Sequence, residues 1–292
     1  MAGKLREVRR RIRSVKNTQK ITRAMELIAA SRIVKAQART QAARPYAEEI
    51  SKIVAELVRR GGGGAELLSP REGDRVGVLA VTADRGLAGA YNTNVLKLVE
   101  LERRRAAGSF SVYTYGRKAL SFYRFRQVTP VEQWQGFSDT PPYEVAKEIG
   151  QQLTRDYLDD KVDRVLIAYT DFKSVLTQEP RIEQLLPVVP PPSADETGEE
   201  GGLQADVEFE PNPEAILESL LPRYVESRVF SALLNAAASE HAARRRAMKA
   251  ATDNADELIK ILTRDANRAR QAEITTEISE IVGGAEALAA EG

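Results

Sequence analysis

Two stretches of this chain hold almost no residue able to stop a helix, and they stand at its opposite ends. Lys4–Arg60 contains no glycine and a single proline, Pro45, and Arg223–Val282 contains neither. Ordinary globular helices run to about 11–12 residues, so stretches this long without a breaker point to a coiled coil or a helical arm. Helices from opposite ends of one chain pair only where the segment between them brings its own entry and exit together. The expected object is a two-helix shaft carrying a compact middle domain, and a shaft is more often mechanical than catalytic.

In the N-terminal stretch Leu5, Val8, Ile12 and Val15 are spaced 3-4-3, the seam of a coiled coil. The seam then weakens in hydropathy, falling on Gln19, Thr22 and Ala29, with Met25 and Ile28 nearby. Pro45 lacks a backbone donor and is expected to kink or interrupt this helix. Gly61–Gly64 end it. At the other end Leu217, Leu221, Val225, Leu258, Ile261, Leu262, Ile274, Ile278 and Ile281 form a patchy apolar stripe, and Gly283-Gly284 are expected to stop the helix.

The middle alternates. Arg75–Thr82, Phe110–Tyr115 and Arg164–Tyr169 read as strands; Tyr91–Ala107, Arg117–Phe125 and Tyr143–Leu158 read as helices. That order predicts an α/β domain with helices covering the strands. Pro187–Gly202 reads as a loop with mobile composition.

Charge separates along the chain even though Lys+Arg (43) and Asp+Glu (42) nearly cancel. Before Arg44 the basic residues face only Glu7 and Glu26, whereas Glu183–Pro222 contains no Lys or Arg. The basic run wraps its helix, because Arg9, Arg10, Arg11 and Arg13 cannot share one face at about 100° per residue. Such a helix suits an acidic socket or a loose sleeve, and bare electrostatics also permit RNA gripped by a helical hairpin. The absence of cysteine excludes disulfides and thiolate chemistry, and a single histidine, His241, makes a zinc site or histidine triad a poor reading. No apolar run approaches the roughly 20 residues that span a bilayer. The Arg-rich start has the composition of a mitochondrial transit peptide, but the same residues carry the helical seam.

One loop invites a chemical reading. Asp84–Ala90 (DRGLAGA) sits between a predicted strand and a predicted helix, where backbone N–H groups could meet phosphate. It matches neither GxxxxGK[ST] nor GxGxxG. A tight turn capped near Asn92 or Thr93 explains it without a ligand, and no carboxylate pair is set up for acid–base work.

Longer motifs carry a resemblance. RIRSVKNTQKITRAMELIAAS (Arg11–Ser31), TADRGLAGAYN (Thr82–Asn92), YVESRVF (Tyr224–Phe230), AMKAATDNA (Ala247–Ala255) and ITTEISE (Ile274–Glu280) followed by Gly284-Ala285 are similar to the gamma subunits of F-type ATP synthases across essentially the whole chain. The resemblance implies an antiparallel coiled coil of the terminal helices plus a central Rossmann-like α/β domain, divided as 1–60, 74–210 and 211–286. It implies a non-catalytic rotor that passes torque between a membrane c-ring and a ring of three alpha and three beta subunits, and that regulates ATPase activity and ion flow. Catalysis then lies on beta, with no cofactor or metal here and no nucleic-acid partner. The implied partners are alpha, beta, epsilon and the c-ring. The implied location is the cytoplasmic side of a bacterial plasma membrane, held peripherally.

The same resemblance implies contact residues. Arg23 and Met25 match the part of the N-terminal helix that meets beta, and Arg270 and Gln271 match the shaft's contact with a loop of beta. Val207, Phe209 and Glu210, within Asp206–Pro211, match the foot on the c-ring; some relatives carry Tyr where Val207 stands.

Overall fold

The computed structural model describes residues 2–60, 64–190 and 212–290. Two long helices bracket the fold, α1 (Ala2–Arg59) and α5 (Pro213–Ala290). Between them lie β1 (Val76–Val81), α2 (Tyr91–Arg105), β2 (Phe110–Tyr115), α3 (Arg117–Phe125), β3 (Glu132–Trp134), α4 (Tyr143–Leu158), β4 (Arg164–Phe172) and β5 (Gln178–Leu186). By their contacts these residues form two compact units, Met1–Ile28 with Arg245–Gly292, and Ala29–Arg244.

The larger unit is built on one five-stranded sheet of order β3-β2-β1-β4-β5. β1 pairs in parallel with β2 and β4, β2 in parallel with β3, and β5 runs antiparallel to β4. β1 is buried along its whole length, which is why VGVLAV reads as a continuous apolar run rather than an alternation. Val76, Val78 and Ala80 face Val95 and Val99 of α2 and Ala119 and Tyr123 of α3. Leu79 and Val81 face the opposite core, shared by Ile149 and Leu153 of α4, Ile50, Val54 and Leu57 of α1, and Leu217, Leu221 and Val225 of α5. The result is an α/β domain of Rossmann-like order with a helical layer on each face.

The two strands that hydropathy missed are the edges. β3 has three residues, and β5 (QEPRIEQLL) is polar, carries Pro180 and buries only its last two positions. Edge strands lose the apolar pattern because one side meets water.

The expectations that Pro45 interrupts its helix and that Gly283-Gly284 stop theirs need correction. α1 runs unbroken past Pro45, and α5 runs unbroken past Pro222. An internal proline costs about 3 kcal/mol. Complete burial of Val54 and Leu57 beyond Pro45, and of Leu217, Leu221 and Val225 around Pro222, offsets it at about 1.5–3 kcal/mol per side chain. α5 also continues through Gly283-Gly284 to Ala290. Glycine lowers helix propensity by about 1 kcal/mol without forcing a stop, and the AEALAA that follows is strongly helix-forming.

Within the smaller unit the two helices run antiparallel. Thr22 Oγ1 meets Thr252 Oγ1 at 2.7 Å, and three residues earlier Gln19 Nε2 donates to Asp256 Oδ1 at 2.5 Å. Nearer the start of α1, Leu5, Arg6, Arg9, Ile12 and Arg13 share a groove with Glu273. The seam of α1 does not fade at Val15. Its least exposed positions continue as Gln19, Thr22, Glu26, Ala29, Ile33, Ala36, Thr40, Ala43, Ala47, Ile50, Val54 and Leu57, alternating by three and four. On α5 the matching series is Met248, Thr252, Ala255, Ile259, Leu262, Ala266, Ala269, Glu273 and Thr276. Of the residues the sequence reading placed on this stripe, Leu262 is buried in the seam and Leu258 lies half-buried beside it, whereas Ile261, Ile274, Ile278 and Ile281 are exposed.

Candidate functional site

In an open sheet of this order, ligands sit outside the carboxyl ends of the strands where the chain reverses direction across the sheet. Here that point lies between β1 and β4, and the Asp84–Ala90 loop leaves β1 beside it. The loop is spent on its own architecture. Asp84 accepts backbone hydrogen bonds from Arg117 (3.1 Å) and Ser138 (3.0 Å), while its own N–H donates to Ser138 Oγ (2.9 Å). Burial pushes the Asp84 carboxyl up, but the N–H groups of Gly136, Ser138 and Arg117 outweigh it and hold the pKa below the usual value. A carboxylate kept ionised at this spot repels phosphate. Asn92 does not cap α2, whose first flanking residue is Ala90; its Oδ1 instead accepts the N–H of Ala83 at 2.8 Å.

Helix α5 covers the place a ligand would take. Tyr91 Oη donates to the Ala236 carbonyl (3.1 Å), Ser239 Oγ to the Thr170 carbonyl (3.0 Å) and Arg244 Nη2 to the Gly86 carbonyl (3.3 Å). Ala243 packs on Ala83, Ala88 and Tyr91. Small residues on α5 let the helix lie close to the loop, which explains its Ala-rich middle.

Three charged or titratable residues sit in that covered stretch. Glu240 and Arg244 form an ion pair at 2.5 Å with side chains 1% and 8% exposed. Burial pushes the Glu240 pKa up and Arg244 opposes it. His241 is 1% exposed, and burial holds its pKa below the ordinary histidine value against the pull of Asp139. It is a packed, neutral ring. Sequence reading missed Glu240, Arg244 and Asp139; the one available signal was an i,i+4 charge pair inside an Ala-rich run.

The predicted contact residues lie elsewhere. Arg23 is exposed and pairs with Glu26 at 3.0 Å, and Met25 is half-buried beside the seam. Arg270 and Gln271 are both exposed on α5. The antiparallel register sets Arg270 opposite the Leu5 region, so the two sets are separated by roughly 30 Å along the hairpin at about 1.5 Å per residue. They are two stations on one surface rather than one site. Val207, Phe209 and Glu210 lie outside the described residues. Beyond the seam, Ile21, Leu27, Ile28, Ile274, Ile278, Ile281 and Val282 leave large apolar side chains exposed. Among the described residues no helix is long and apolar enough to cross a membrane.

Comparison with known proteins finds relatives over essentially the whole chain. A family model described as ATP synthase matches residues 4–288. The chain is 53% identical to the ATP synthase gamma chain of Kineococcus radiotolerans over 302 residues, covering 100% of this chain and 99% of that one. It is likewise 53% identical to that of Acidothermus cellulolyticus, with the same coverage. Among solved structures, one chain of the Euglena gracilis mitochondrial ATP synthase superposes with a TM-score of 0.70 at 18% identity, over 99% of this chain and 95% of that one.

Proposed function

The chain belongs to the ATP synthase gamma-chain family and is a central-stalk rotor subunit of that enzyme, and from this premise we propose how its parts divide the work. The paired ends, 1–60 and 211–286, act as the axle, and the 74–210 domain as the piece that meets the membrane rotor. The axle turns inside a ring of three alpha and three beta subunits. Arg23 and Met25 engage beta at one level, and Arg270 and Gln271 engage it at another. Val207, Phe209 and Glu210 stand on the c-ring, and epsilon binds alongside. ATP is made or hydrolysed on beta; this chain supplies the asymmetry that drives each beta through its states. The complex sits on a bacterial plasma membrane with this subunit on the cytoplasmic side.

One observation carries this reading. The hairpin keeps polar and small residues in its seam, Gln19, Thr22, Glu26 and Ala29, and exposes apolar ones outside it. An axle that served only to hold itself together would bury those apolar residues. Large exposed apolar side chains on a helix mark a surface that meets other protein, and the charged residues between them keep any one contact from gripping too tightly. The test is co-purification: tagged chain expressed with its operon should bring down alpha and beta in fixed threefold excess. A bead fixed to it should rotate on ATP addition. Recovery of the chain without alpha and beta would overturn the proposal.

A further inference from the structure

The loop between β3 and α4 holds a carboxylate on which three segments of the larger unit converge. Asp139 Oδ2 accepts from Arg32 Nη1 of α1 at 2.5 Å and lies 3.8 Å from Arg85 Nη1 of the β1–α2 loop. Its other oxygen, Oδ1, is buried without a hydrogen-bond partner and stands 4.0 Å from His241 Nε2 of α5. Arginine only donates, so the Arg244 Nη1 facing His241 Nδ1 at 3.5 Å makes that nitrogen the acceptor. The ring proton then sits on Nε2, which points at the Asp139 carbonyl (3.4 Å) and carboxylate.

The loop carrying Asp139 is itself pinned to the sheet. Ser138 exchanges two hydrogen bonds with Asp84 at the end of β1. A continuous path therefore runs from the sheet through Asp84 and Ser138 to Asp139, and from there to one long helix through Arg32 and to the other through His241. The bonds of Tyr91, Ser239 and Arg244 tie α5 alone, to α2, β4 and the β1–α2 loop. Asp139 reaches both helices. Its side chain is only 30% exposed and that of Arg32 40%, so the pair is less screened than a free surface pair. Without the carboxylate, Arg32 and Arg85 would face one another with no anion between them.

We propose that Asp139 is the clasp that locks the α/β domain to both long helices and sets the torsional stiffness of their junction. It is a positioning residue: it touches no nucleotide, its carboxylate acts through Arg32, and its backbone carbonyl meets His241. The proposal rests on the rotor reading above.

The experiment uses the assembled alpha–beta ring with this chain, fixed to a surface through the ring. The native chain has no cysteine, so Lys97→Cys on the exposed side of α2 attaches a bead to the domain. In the stalled complex, Asp139→Asn should widen the angular variance of the bead by about twofold, the scale expected from losing one partly exposed charge pair. Asp139→Glu, which keeps the carboxylate, should stay near the parent. An Asp139→Asn variance equal to the parent overturns the clasp. Where that variant does not assemble, Arg32→Gln removes the same pair from the other side, and an unchanged variance there overturns it equally. A parent complex whose bead does not rotate on ATP would instead count against the rotor reading.

Discussion

His241 occupies a helix face where one ring nitrogen is taken by Arg244 and the other by Asp139, at 1% exposure. Burial dominates its titration and lowers its pKa; Asp139 pulls the other way, and Arg244 and Arg32 add to the lowering. The unfolded chain therefore binds a proton that the native chain refuses, and stability rises with pH across that window. The contribution is fully present above the ordinary histidine value of about 6.5 and is lost as pH falls below it. Urea unfolding of the purified chain at several pH values should show this fall, and His241→Gln should flatten it below about pH 6.5. An unchanged slope in the variant would place the titration elsewhere. None of this was legible beforehand: a lone histidine amid alanines looks inert, and Arg32 and Asp139 are far apart in sequence and meet only in the fold.

Among the elements, what could be read depended on which residues filled a pattern rather than on whether the pattern existed. β2, α3 and α4 were read to the residue because their apolar faces are complete. β3 and β5 went unread because an edge needs no apolar alternation. The seam of α1 keeps its three-and-four spacing to Leu57, yet Gln19, Thr22, Glu26 and Thr40 stand in it, and hydropathy cannot see a seam made of polar and small side chains. The C-terminal glycines misled for the opposite reason: a breaker in composition need not break a helix that nothing else stops. That leaves a test. Gly283 lies within α5 with nothing within 4 Å of an added Cβ, so Gly283→Ala gains helix propensity without a clash. A gain of about 1 kcal/mol corresponds to roughly fivefold slower amide exchange in the last turns of α5. Faster exchange in the variant would mean that the glycine serves a bend that the helix requires.

On the scale of the whole molecule, the two compact units differ in what holds them. The Ala29–Arg244 unit owns both apolar cores, one on each face of the sheet. Among its described residues the unit of Met1–Ile28 and Arg245–Gly292 has no sheet, and its helices meet through a seam in which threonine, glutamine and alanine stand beside leucine. Exposed apolar residues gather toward the end of α5, at Ile274, Ile278, Ile281 and Val282. Ending the chain after Ile274 removes the last three of these and no side chain of either core. The truncated chain should therefore keep cooperative unfolding of the α/β domain, with a change inside the roughly 0.5 kcal/mol typical of surface alterations. The assembled complex should lose torque or yield, because the surrounding ring is deprived of apolar side chains that only it can cover. Both halves are measurable on one preparation, by denaturant unfolding of the free subunit and by bead rotation of the complex. Loss of the domain's transition would mean that the two units are not energetically separate. Full torque from the truncated rotor would mean that the exposed isoleucines are not what the ring holds, and would move the grip back toward Arg270 and Gln271.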